Sequence, residues 1–211
     1  MSQFSIGILD QTGRTYATWS PVNKSSRVTL SVDKLTATGT TAQGGTVVTD
    51  IGVTSGQRYW EIYVNYTLAS PGAAAEAFGI ATEYKSISVL GSYDDSVAYR
   101  RNNGDIRATF LKKFVGSISS FVGATIADYV TEETIGFKLD LDSPSPTISM
   151  VKYNPSTDLV EPLGSSLILP SGQTWYPAFG SDGNSGSVIA NFGASPFTYA
   201  VPAGYTAGIY N

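Results

Sequence analysis

Apolar and polar residues alternate with a period of two along much of this chain. In Tyr59-Trp60-Glu61-Ile62-Tyr63-Val64, Trp60, Ile62 and Val64 share one face, and Tyr59, Glu61 and Tyr63 share the other. Ile135, Phe137, Leu139 and Leu141 likewise oppose Lys138, Asp140 and Asp142. Val28, Leu30 and Val32 form a third such face, and Val188-Ile189-Ala190-Asn191-Phe192 reads as a further strand. Segments of this kind are half-buried strands with one core face each.

Turn residues punctuate these segments: Gly44-Gly45, Ser55-Gly56, Ser70-Pro71-Gly72, Ser143-Pro144, Asn154-Pro155 and Asp182-Gly183-Asn184. Asn103-Gly104, between Ala98-Tyr99-Arg100 and Ile106-Arg107-Ala108, predicts a tight hairpin because both residues tolerate positive φ. Only residues 73–77 hint at helix, and Gly72 and Gly79 confine it to about one turn. Short strands with frequent turns predict an all-β sandwich or barrel rather than α/β units. No repeat or linker divides the chain, so one domain is expected, with residues 1–18 as an amino-terminal arm and 19–211 as the sandwich.

Composition narrows the chemistry. The chain has 211 residues, enough to bury a core without a disulfide or metal. It has no cysteine and no histidine, which removes thiolate nucleophiles, thiolate zinc sites and the usual general base. The net charge of −4 offers no general attraction to nucleic acid or anionic membranes. Residues 1–10 lack the basic and apolar regions of a signal peptide, and no run approaches the ~18 apolar residues of a membrane helix. No cofactor or metal is expected, and no membrane insertion.

Ten short segments, in order, resemble the SPRY domain of the B30.2 fold. They are Trp19-Ser20-Pro21, Leu30 to Thr36, Ser55 to Val64 with its Tyr-Trp-Glu, Phe78-Gly79-Ile80-Ala81 and Leu90 to Tyr99. Ile135 to Asp142, Ile148 to Asn154, Trp175 to Gly180, Ala190 to Gly193, and the pair Pro196 to Tyr199 and Pro202 to Tyr205 complete them. The likeness spans residues 19–205. It departs at 110–129, a longer segment that suggests an extra hairpin, and at Pro155, where the family places glycine. The resemblance implies two antiparallel sheets packed face to face in a concanavalin-like jelly roll, protein binding, and no chemistry of its own.

By the same resemblance, a partner would meet three loops. These hold Thr38, Thr40 and Thr41; Lys85 and Ser86 with Tyr93; and Phe179, Asp182 and Asn184. Tyr93 offers large contact area at low entropy cost, Phe179 an apolar floor and Asp182 a polar contact. The competing reading is that these are merely variable surface loops. Paired carboxylates at Asp94-Asp95 or Asp140/Asp142 would suit a glycoside hydrolase only across a cleft, and Asp140 and Asp142 fall on a polar strand face. Asp182-Gly183-Asn184 supplies too few oxygens for calcium. Arg100-Arg101 reads as a solvated hairpin end. Trp19, Trp60, Phe137, Trp175 and Phe192 read as core.

The expected function is therefore a non-catalytic binding or structural module. The setting expected from the Thr, Ser, Gly and Tyr richness is a virion part, such as a phage tail, fibre or capsid decoration, in several copies. Its partners would be other virion subunits or a host receptor. A cytoplasmic adaptor that reads a peptide is the main alternative, and a glycan-binding protein or glycoside hydrolase the third. Residues 4–18 are expected to lie outside the core as a docking arm.

Overall fold

A computed structural model describes residues 8–9, 13–40, 45–65, 77–84, 90, 96–102, 105–109, 121–126, 133–154, 157–163, 166–181 and 186–211. Among them every regular element is a strand. In chain order these are β1 (Ile8–Leu9), β2 (Thr15–Tyr16), β3 (Trp19–Lys24), β4 (Val28–Leu30), β5 (Thr36–Gly39) and β6 (Gly45–Thr49). There follow β7 (Gln57–Asn65), β8 (Ala77–Ala81), β9 (Ser96–Asn102), β10 (Asp105–Thr109), β11 (Phe121–Ile126) and β12 (Glu133–Asp140). The last six are β13 (Thr147–Asn154), β14 (Leu159–Pro162), β15 (Leu167–Ile168), β16 (Tyr176–Ser181), β17 (Ser187–Asn191) and β18 (Thr206–Ala207).

Two sheets form the sandwich. One runs β11-β10-β9-β8-β16-β6-β3, the other β14-β13-β12-β7-β17-β5-β4, with β15 beside β13 and β18 beside β7. All neighbours are antiparallel except β18, which runs parallel to β7 just beyond the end of β17. The two-sheet jelly roll implied by the resemblance is the architecture observed, and it decides between the sandwich and the barrel that the alternation left open. The β9–β10 register, Asn102 opposite Asp105, gives the predicted two-residue connection, although residues 103–104 lie outside the described residues. So do 73–76, while Ala77 opens a strand. From the 110–129 segment, β11 extends the seven-stranded sheet by pairing with β10.

The core lies between the sheets because their inward faces are apolar. Trp60, Ile62, Val64, Ile135, Phe137, Leu139, Ile148 and Met150 from one sheet meet Trp19, Val47, Phe78, Ile80, Val97 and Phe179 from the other. Trp60 stacks on Phe137 at 5.1 Å, Phe78 meets that ring edge-on at 6.0 Å, and Trp19 meets Phe192 edge-on at 5.1 Å. The five aromatics assigned to the core are all buried.

Three local expectations change. Val32 is fully exposed, since its strand ends at Leu30 and the chain turns through residues 31–34, closed by Lys34 N–H on Ser31 O with Lys34 at φ 58°. Tyr59 and Glu61, on the outward face of β7, are buried. Tyr16 and Ala17 are buried too, Ala17 within the main core, so the sandwich begins before Trp19.

Candidate functional site

The outer face of the seven-stranded sheet carries small residues: Ala77, Gly79 and Ala81 on β8, Ala98 on β9, Ala178 and Gly180 on β16, and Val48 on β6. They lie side by side because Ala178 pairs with both Val48 and Gly79, and Gly180 with Ala77. Leu90, fully buried, packs into this hollow as part of a second apolar cluster with Tyr84 and Tyr176 at its margin. Gly180 is needed here, because a Cβ on it would stand 2.8 Å from the Cβ of Leu90. Among the described residues, Leu90, with Tyr84 at the margin, is thus the contact between the 82–95 connection and the sheet's outer face.

The neighbouring residue faces the other way. Ser181 points between the sheets, where β16 and β5 approach so closely that a Cβ on Gly39 would collide with its hydroxyl. Gly39 N–H donates to Gly186 O at 3.0 Å, joining the end of β5 to the start of β17. The Ser181 hydroxyl is buried without a hydrogen-bond partner. Gly180-Ser181 is therefore touched from one side by the anchor of the 85–95 segment and from the other by the end of β5, and it leads directly into residues 182–185.

Among the sequence-predicted residues, Thr38 is half-buried on β5 and Thr40 exposed just after it, with the Thr40 hydroxyl donating to Arg27 O at 3.0 Å. Phe179 is fully buried within the main core, where its ring packs between the sheets. Thr41, Lys85, Ser86, Tyr93, Asp182 and Asn184 lie outside the described residues, as do Asp94-Asp95. Sequence reasoning placed Gly39, Gly180 and Ser181 within the predicted loop ranges and Leu90 in a family-like segment, but gave none of them an anchoring role. The available signal was the apolar run Ile87, Val89 and Leu90 ending directly before Gly91.

Asp140 and Asp142 have structural duties. Asp140 accepts the Gln57 side chain at 2.9 Å and the N–H groups of Asp142 and Ser143, each at 3.1 Å. Asp142 accepts Gly56 N–H at 2.7 Å. Among the described residues no group of three or more acidic side chains is placed to hold a metal ion.

The outer face of the nine-stranded sheet is covered by the carboxy-terminal segment. Glu61, buried on β7, accepts Thr198 N–H and Tyr199 N–H at 2.8 Å each and the Tyr59 hydroxyl at 3.0 Å. Gly136 leaves room for the Tyr59 ring, on which Phe197 packs edge-on at 5.1 Å. Tyr199 OH donates to Thr134 O at 2.7 Å. Burial, together with the adjacent Glu61 charge, pushes the Tyr59 hydroxyl far above the usual tyrosine range. Burial also raises Tyr199 and Tyr205.

This two-sheet geometry defines a jelly-roll sandwich. The fold is SPRY-like. The SPRY domain of human HERC1 superposes with a TM-score of 0.56 at 14% identity, over 82% of this chain and 96% of that one. The TRIM65 PSpry domain gives 0.55 at 13%, over 83% and 89%. Peanut lectin bound to a nine-residue peptide, a jelly roll of the lectin type, gives 0.51 at 12%, over 82% and 91%. No family profile and no curated protein sequence matches the chain.

Proposed function

We propose that this chain is a non-catalytic protein-binding module that holds a partner segment at the loop end of the sandwich. The observation that carries the proposal is the convergence on Gly180-Ser181: the end of β5, the Leu90 anchor and the start of the 182–185 connection meet at one point of a rigid scaffold. Binding residues are characteristically displayed on loops so supported. Thr38, Thr40, Thr41, Lys85, Ser86, Tyr93, Asp182 and Asn184 supply the contact surface in this reading, with Phe179 beneath them. Its contacts are polar and few, since apart from Tyr93 the residues are small, polar or singly charged. The SPRY-like fold supports a protein partner. Composition alone supports the setting, a repeated part of a virus particle.

The test is selection of peptides from a random displayed library on the purified chain, followed by titration against a Thr40→Arg variant. Thr40 is exposed, so the substitution leaves the core untouched. Selected peptides should lose roughly tenfold or more in affinity, about 1.4 kcal/mol. Equal binding to both proteins sinks the loop-end assignment, and binding of glycans but no peptides sinks the protein-partner reading. Light scattering tests the virion setting: a stable multimer supports it, and a monomer over the whole concentration range counts against self-assembly.

A further inference from the structure

The carboxy-terminal segment covers the nine-stranded sheet over Tyr59 and Glu61 and stops short of the next outward row. On that row Tyr63 pairs with Ile189 on one side and with Thr134 on the other. Thr134 stands one residue beyond the Ile135–Lys152 pair, beside Tyr153, which in turn pairs with Val160. Ile189 continues the row to Thr36. These side chains point outward, because the residues that alternate with them, Ile62, Val64, Ile135, Val188 and Ala190, are buried in the core. Among the described residues seven large apolar side chains are exposed, and Tyr153, Val160 and Ile189 are three of them. From Val160 to Ile189 the row crosses from β14 to β17, roughly 19 Å at the ordinary spacing of neighbouring strands.

No side chain on the row is charged. The Asp158 carboxylate accepts the Tyr153 hydroxyl at 2.6 Å, at the β14 end. Tyr199 borders the row on the side of the carboxy-terminal segment, its hydroxyl donating to Thr134 O. Strands β13, β12, β7 and β17 have neighbours on both sides, so their main-chain groups are used within the sheet. A ligand on this face therefore meets rings, aliphatic groups and hydroxyls, and an extended peptide gains no strand pairing there. The row is one residue wide, far less than the ~800 Å² that each partner buries in a stable protein interface. What fits is a slender, neutral molecule with apolar C–H faces to lie on the rings and hydroxyls to bond the tyrosine and threonine oxygens.

We infer that the row Val160–Tyr153–Tyr63–Ile189 is a platform for a neutral oligosaccharide chain. Tyr153 and Tyr63 supply the rings, two strand spacings or roughly 10 Å apart, and Thr134 and Thr36 supply hydroxyls. The platform lies on a sheet face and not at the loop end, so it stands or falls independently of the proposed peptide surface.

The test is an array of neutral oligosaccharides of glucose, mannose, galactose, xylose and N-acetylglucosamine, with oligogalacturonate as the charged control, probed with the full chain. Calorimetric titration of the neutral sugars that bind then compares variants. Tyr63→Ala should weaken binding roughly tenfold or more, and Tyr63→Phe, which keeps the ring, by less. Ile189→Glu changes an exposed position, leaves the core untouched and should also abolish binding. Thr40→Arg, at the loop end, should bind sugar as the parent chain does. Binding of no neutral sugar, preference for oligogalacturonate, or unchanged affinity in both Tyr63→Ala and Ile189→Glu overturns the inference. Sugar binding lost in Thr40→Arg overturns it too and moves the sugar to the loop end, whereas peptide binding lost in Thr40→Arg alone bears only on the loop-end reading. Self-association that Ile189→Glu removes, without sugar binding, assigns the row to a second copy of the chain instead.

Discussion

On the nine-stranded sheet the outer face is covered by a strap bound through a carboxylate, whereas on the seven-stranded sheet, among the described residues, a leucine packs onto glycine and alanine. Glu61 bonds two consecutive backbone N–H groups, at Thr198 and Tyr199, and so fixes the register of the strap to the residue. Leu90 makes a non-directional contact on a floor of small side chains. The polar fastening specifies one geometry, and the apolar one specifies only an attachment point. The first suits a permanent part of the scaffold. The second would suit the partner surface proposed at the loop end, because a non-directional anchor constrains the residues on either side of Leu90 less than a hydrogen-bonded one does.

Glu61→Ala should have the largest effect. It leaves three donors, two of them backbone, without acceptors beneath the strap, and each unsatisfied group costs about 1–3 kcal/mol. Urea denaturation should show a loss of about 3–5 kcal/mol. A loss under about 1 kcal/mol would mean that the strap is held by its apolar contacts, and the contrast between the two faces would collapse. Glu61→Gln, which keeps one acceptor oxygen, should recover part of the loss.

Leu90→Ala comes next. Removing a buried leucine side chain costs about 2–5 kcal/mol, and this site should fall near the low end because a surface connection settles into the gap more readily than a core strand does. Peptide affinity at the loop end should drop with it. Gly180→Ala attacks the same contact from the sheet side, where the added Cβ must displace Leu90. If both variants bind peptide as well as the parent chain, the anchor does not shape the partner surface.

The strands of this fold were legible because alternation needs only local sequence. Residues 135–142 predict β12, and 59–64 predict β7, within two residues at each end. Alternation says which side a residue faces and nothing about what covers that side. Tyr59 and Glu61 were assigned correctly to the outward face, yet their cover comes from residues 197–199, far along the chain. Val32 shows the opposite limit: the pattern ran past the point where a turn had ended the strand. At the loop end, resemblance supplied the loops, but close approaches such as Gly39 to Ser181 follow from how two sheets meet. The Val160–Tyr153–Tyr63–Ile189 row draws each residue from a different strand, and no local motif announces it.

The smallest effect is expected at alkaline pH, and it isolates the polar fastening from the apolar one. Tyr59, Tyr199 and Tyr205 all have hydroxyls whose protonated form is favoured in the fold, chiefly by burial. A group with a raised folded value contributes stability that is fully present below its unfolded value, here 10.0, and is lost as pH rises above it. Stability should therefore be flat below that point and then decline by up to about 1.4 kcal/mol per pH unit for each tyrosine involved. Tyr59→Phe should remove one such contribution and make the decline shallower, at the cost of about 1 kcal/mol at neutral pH for the lost bond to Glu61. Leu90→Ala should lower the whole curve without changing its slope, since Leu90 packs on the seven-stranded sheet and the three tyrosines with raised values lie on the other one. Parallel alkaline slopes for Tyr59→Phe and the parent chain would show that the tyrosine beneath the strap is free to ionise in the fold, and the carboxylate could not then be what closes that face.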